Sequence, residues 1–152
     1  MTVVKTITGT LASAGYGYGD FLEQHGYTAE EDGVASIAAD TLWDTGTDWV
    51  DVRGAATAHI LVTTTGANAS SSGTVDFAFI AKGDDGAVLP TPTVADFTIT
   101  ATLNATTKVT KGAKVDCDAY AYIKVFTIDN NDGSYAIEDS NAYVFYKTRM
   151  PR

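Results

Sequence analysis

The sequence predicts an all-β protein: a single antiparallel β-sandwich or jelly roll over residues 34–152, with an irregular N-terminal arm or long loop over residues 1–33. Three observations predict it. Phe97, Ile99, Ala101 and Leu103 alternate with Thr98, Thr100 and Thr102, so an extended chain sends the apolar side chains to one face and the threonines to the other. A helix would scatter the same residues around its circumference. The composition is rich in Thr and Gly and poor in Lys, as in β-structure with many turns. Short apolar runs are punctuated by turn signals, and no segment sustains a helical period.

Taken in order, residues 13–33 (SAGYGYGDFLEQHGYTAEEDG) alternate glycine with tyrosine and then turn acidic, without a period of two. At most a short helix is expected around residues 20–25, with Asp20 capping its first turn. A long segment of this kind inside a domain is either functional or mobile. We read it as an arm whose Tyr16, Tyr18, Phe21 and Tyr27 are large, rigid, amphipathic anchors for contacts between subunits. The alternative is a loop folded back over one open end of the sandwich.

Short strands are expected over residues 34–38, 49–52 and 134–138. Residues 56–65 are rich in β-branched side chains and end at Gly66, while 74–81 place Val75, Phe77 and Phe79 on one face. Residues 121–128 and 143–147 carry apolar side chains on both faces, the mark of central or covered strands. Turns fall at 66–73 (GANASSSG), 82–86 (KGDDG), 89–93 (LPTPT), 111–114 (KGAK) and 130–133 (NNDG). The close spacing near the C-terminus predicts hairpin pairing of the last strands.

The chain of 152 residues fits one domain, and folding at this length removes roughly 70% of the unfolded surface from water. Ten basic against nineteen acidic residues give a net charge of -9, which repels a phosphate backbone and disfavours nucleic-acid binding. The single Cys117 forms no internal disulfide, and two histidines do not by themselves supply a zinc cage. Ala12-Ser13-Ala14 has the form of a signal cleavage site, but the preceding segment is too polar for an export signal. No run approaches the roughly 20 apolar residues that span a bilayer, so no membrane partner is expected.

The stretch TIDNNDGSYAIED at 127–139 looks like a calcium loop. Counted from Asp129, the ligand positions and the glycine position of an EF-hand hold Asn131, Gly133, Ser134 and Ser140, so the pattern fails. A β-hairpin turned by Asp132-Gly133 accounts for it better, and 82–86 reads the same way. Asp84, Asp85, Asp129 and Asp132 are the first suspects for a Ca²⁺ gathered from several loops, but turn chemistry is the default and no metal or cofactor is expected.

Catalysis has no constellation behind it. His25 lies in the arm, His59 in a strand, and Cys117 sits between Asp116 and Asp118, which raise rather than lower a thiol pKa. No glycine elbow surrounds a serine, and acidic doublets such as Glu30-Glu31 point to opposite faces of a strand. The chain is therefore expected not to be an enzyme. Of the two tryptophans, Trp49 beside Val50 and Val52 is assigned to the core, and Trp43 to an interface. The basic tail KTRMPR, with Arg149 at its centre, is a further candidate for reaching an acidic neighbour.

DWVDVRGAATAHILVTT at 48–64, VDFAFIAKGDDG at 75–86 and AYIKVFTIDNNDGSYAIEDSNAYVFYK at 121–147 together resemble small β-sandwich virion proteins of tailed bacteriophages. The likeness runs from about Trp49 to the end of the chain and leaves the Gly/Tyr-rich arm unmatched. It implies a noncatalytic structural role, a capsid decoration or cement protein or a tail-associated one, and it brings no catalytic residues. The expected partners are self, as a homotrimer, and the major capsid or tail protein. The expected location is the virion, after synthesis in the host cytoplasm. Eight tyrosines and two tryptophans on a sandwich support a second reading, a carbohydrate-binding module or adhesin.

Overall fold

A computed structural model describes residues 3–7, 20–28, 36–44, 49–83, 95–117 and 120–149, of which 3–7, 20–28, 42–44 and 147–149 are described by their backbone alone. The strands are β1 (Val3–Ile7), β2 (Asp20–Thr28), β3 (Ser36–Ile37), β4 (Thr41–Asp44), β5 (Val50–Asp51) and β6 (Ala55–Gly66). They continue with β7 (Thr74–Lys82), β8 (Phe97–Thr102), β9 (Val109–Asp116), β10 (Tyr122–Asn130) and β11 (Ile137–Arg149). The described chain holds no helix, and its strands form two antiparallel sheets.

A six-stranded sheet runs β1-β2-β11-β6-β9 with β3 beside β11, and a five-stranded sheet runs β4-β10-β7-β8 with β5 beside β10. The pairings nest: β7 with β8, outside them β6 with β9, then β4 with β10, then β2 with β11. A chain paired in this way is one long hairpin rolled into two layers, the topology of a jelly roll. That choice closes the alternative left open by the sequence.

Alternation builds the core between the layers. Ala58, Ile60 and Val62 from β6, with Ala142, Val144 and Tyr146 from β11, face Val75, Phe77, Phe79, Ile123, Val125 and Ile128 from the other sheet. Phe79 stacks on Phe97 of β8 with ring centroids 5.1 Å apart. Burying a side chain of this size contributes about 1.5–3 kcal/mol.

Five local expectations give way. The helix expected over 20–25 is strand β2, because Asp20 to Thr28 pair residue for residue with Asn141 to Arg149 of β11. Sheet partners thus supply the hydrogen bonds a helix would have made locally. The expected turn at 111–114 lies inside β9, whose register from Thr57↔Asp116 to Thr64↔Val109 is unbroken. At a sheet edge, glycine and lysine cost little and lysine discourages further pairing.

The expected hairpin around Asp132-Gly133 does not form: β10 and β11 belong to different sheets, and 131–136 crosses between them. Among the described residues, the non-glycine residues with positive φ are instead Asp40, Ala105 and Asp139, the last at a register shift between Glu138 and Asn141 of β11. Likewise the short strand expected at 134–138 starts at Ile137 and is continuous with the one expected at 143–147. The fifth correction concerns Trp49, which is half-buried outside the core.

A buried polar clasp holds the crossover. The Asn130 side chain, fully buried, donates to the carbonyls of Ile37, Ala38 and Tyr135 at 3.0–3.2 Å and accepts from the amide of Asp132 at 3.0 Å. One Asp132 carboxylate oxygen accepts from Ser134 and Tyr135, and the other from Ser72 and Gly73. These bonds, the Ser134 amide foremost, hold its carboxyl below the usual carboxylate range despite the opposing effect of burial. The approach requires glycine at 73, where a Cβ would stand 2.5 Å from Asp132 Cα.

Candidate functional site

The outer face of the five-stranded sheet carries the densest described cluster of aromatic and cationic groups. Strand alternation turns Tyr122 and Lys124 of β10 away from the core, because Ile123 and Val125 are fully buried. The register then brings sequence-distant residues together. Lys82 of β7 lies opposite Tyr122, while Val50↔Ile123 places Trp49 next to Lys124 on the other side.

Lys82 Nζ sits 4.5 Å from the centroid of the Trp49 ring and 4.9 Å from that of Tyr122. Lys124 Nζ stands 5.2 Å from the Trp49 ring, and the Arg53 guanidinium 5.3 Å from Tyr122. Each such contact contributes about 0.5–1 kcal/mol at an exposed site and fixes a charge that would otherwise swing freely. Arg53 is also held by Asp51, with Nη2 2.6 Å from Oδ2. Among the described residues, three cations less Asp51 leave a surplus of two positive charges, on a chain of net charge -9.

The opposite end of this face is acidic. Asp76 of β7 and Asp129 of β10 are direct cross-strand partners. Asp76 is steadied by Thr100 Oγ1 at 2.5 Å and by Asn131 Nδ2 at 3.1 Å. Between the two ends, β10 gains one residue on β7 between Val125 and Thr127, a bulge that places the half-buried Phe126 on the outer face. Lys82 and Asp76 are six residues apart on β7, about 20 Å along the strand. Asp96 lies at the sheet edge, where its carboxylate accepts the Ala81 amide at 2.7 Å.

A second surface lies on the outer face of the six-stranded sheet. His59 and Leu61 of β6, Gly112 and Lys114 of β9 and Phe145 of β11 line a shallow trough of about 290 Å³. Tyr143 extends its aromatic wall, 6.4 Å from Phe145. Apolar residues on both faces of 143–147 were its signal in the sequence, but that pattern does not separate an exposed aromatic wall from a covered strand.

The residues singled out in the sequence do not converge. Tyr16 and Tyr18 lie outside the described residues, as do Asp84 and Asp85. Phe21 and Tyr27 fall on β2, opposite Thr148 and Ala142, with side chains outside the description. Arg149 ends β11 opposite Asp20, and Trp43 of β4 lies opposite Ile128 in the other sheet; their side chains are likewise outside it. Of the remaining calcium suspects, Asp129 is on the outer face and Asp132 is occupied by four amides. Among the described residues no three His, Cys, Asp or Glu side chains gather as a metal site. His59 is exposed on the outer face and Cys117 is buried.

No family model matches the sequence, and no curated protein matches it. Among solved structures, the chain is similar to the PRD1 vertex protein P5 at 15% identity and TM-score 0.49, covering 89% of this chain and 100% of that one. It is also similar to a protein of the disulfide-linked pili of Bacillus endospore appendages, at 12% identity and TM-score 0.35 over 84% and 88% of the two chains. A CBM4 structure aligns at 13% identity and TM-score 0.36 over 84% and 87%. Identities and TM-scores this low assign neither fold nor role to this chain.

Proposed function

We propose that the chain is a noncatalytic virion structural protein of a bacteriophage, most simply a capsid decoration or cement subunit that associates with itself and docks on the capsid lattice. The observation that carries this reading is the gathering of Trp49, Tyr122, Lys82 and Lys124 on the outer face of one sheet of an acidic protein. Such a face suits a broad macromolecular surface, since aromatic and cationic anchors there meet a partner without a cleft. The resemblance of 48–147 to virion sandwiches points the same way, and jelly rolls include capsid domains. Fold alone remains an analogy.

In this reading Tyr16, Tyr18, Phe21, Tyr27, Trp43 and Arg149 supply further contacts between subunits or to the major capsid or tail protein. Purified particles of the phage should contain the chain at a fixed copy number by quantitative mass spectrometry, and cryo-electron microscopy should place it on the shell or tail. Particles free of it would overturn the proposal.

The second reading, a carbohydrate-binding module or tail-associated adhesin, is favoured by the trough of Phe145, His59, Leu61 and Lys114. Its volume lies at the lower limit of small-molecule sites and suits a single sugar ring stacked on an aromatic wall. A specific glycan-array signal lost in Phe145→Ala would establish it; a silent array would remove it.

A further inference from the structure

We infer that the outer face of the five-stranded sheet is a self-association surface. Two copies of this chain stack these faces about a two-fold axis lying in the interface and perpendicular to β7 and β10. The Trp49, Tyr122, Lys82 and Lys124 end of each copy then covers the Asp76 and Asp129 end of the other.

Among the described residues the face is self-complementary. Its basic end carries a surplus of two charges and its acidic end two carboxylates, so one antiparallel stacking sets each end against its opposite. The parallel stacking would set like against like. A two-fold contact uses the same patch on both partners, which this arrangement satisfies.

Separation matters as well. The ends lie about 20 Å apart along β7, roughly twice the screening length at 0.1 M salt. They therefore neutralise each other poorly within one molecule. Each end is also disfavoured alone: Asp76 and Asp129 are like charges directly across a strand pair, and Lys82 and Lys124 crowd one indole ring. Opposite charges from a second copy relieve both.

The middle supplies contact. Phe126 lies between the two ends, so the two-fold axis passes near it. Four strands of this length present a face of roughly 30 Å by 19 Å. Burying it on both partners gives on the order of 1,100 Å², near the small end of specific interfaces, so a reversible, concentration-dependent dimer is expected. The aromatic rings already hold both lysines in place, which lowers the entropic cost of association. The inference rests on this face alone, and its failure leaves the virion proposal intact.

Sedimentation equilibrium of the purified chain at 1–200 µM tests it. The wild type should dimerise reversibly in 0.05 M NaCl and weaken at least about tenfold at 0.5 M. Lys82→Glu/Lys124→Glu should weaken dimerisation by at least about tenfold, since each reversal counts twice in a two-fold interface. Asp129→Lys should do the same. Mixing these two variants should give a heterodimer tighter than either homodimer. Circular dichroism controls for folding, and if the double reversal misfolds, Lys124→Gln with a smaller loss takes its place. A wild type monomeric throughout, an oligomer of another order, a dimer indifferent to the reversals, or variants that fail to pair with each other overturns the inference.

Discussion

Asn130→Asp changes one buried atom from a donor to an acceptor, and the structure sets how much that costs. In the wild type the two Nδ2 protons serve three carbonyls, those of Ile37, Ala38 and Tyr135 at 3.2, 3.0 and 3.0 Å, so one proton is shared. Asn130→Ala removes these bonds and the acceptor for the Asp132 amide, 3.0 Å away, inside a fully buried site. Each buried group left without a partner costs about 1–3 kcal/mol. Relaxation and water will recover part of that, so about 3–4 kcal/mol is expected from the alanine change.

Asn130→Asp must cost more than Asn130→Ala, because a carboxylate would point at three carbonyl oxygens and no proton would lie between them. For a chain of this size, 3 kcal/mol corresponds to a fall in Tm of roughly 6–12 °C. Urea unfolding followed by tryptophan fluorescence and far-ultraviolet circular dichroism measures both variants. An Asn130→Asp protein as stable as Asn130→Ala at neutral pH would refute the assignment of the amide as a three-way donor.

Gly73→Ala should destabilise by about 2 kcal/mol or more, since its Cβ would press on the Asp132 backbone at 2.5–2.8 Å and neither strand end can yield freely; the urea midpoint reports it. Acid titration should expose the clasp. The carboxyl of Asp132 is held below its unfolded value, so its contribution is complete above the unfolded carboxylate pKa of about 3.9 and is lost as pH falls through the lower folded value. Asp132→Asn should therefore flatten that part of the stability profile between neutral pH and pH 2, and an unchanged slope would contradict it. Deleting residues 1–19 removes β1 but keeps β2 paired with β11, so it should preserve most of the β circular dichroism while weakening assembly. An oligomer of unchanged mass would show that the arm is not needed.

Trp49→Ala should leave the unfolding midpoint within about 1 kcal/mol of wild type, because the ring lies outside the buried core and its described ring contacts are with two lysines. A loss of about 3 kcal/mol, as for a buried aromatic, would return it to the core.

What the sequence determined by itself was the strand character of much of the chain and the inward face of two strands. Alternation is a local property: Phe97 to Leu103 and Thr74 to Ala81 each carry their own period of two, and both form strands with that face inward. Turn chemistry was less informative, because Asp132-Gly133 and 111–114 have the residues of turns in places where the fold needs a crossover and an edge strand. Only tertiary structure decided those, since strand pairing and sheet membership are set by contacts between residues far apart in the chain. The same holds for the candidate site: Trp49, Lys82 and Lys124 have no neighbourly relation in sequence and meet because β5, β10 and β7 lie side by side. A ladder of hydrogen bonds between distant strands is what turns scattered charges into a surface, and no local period encodes it.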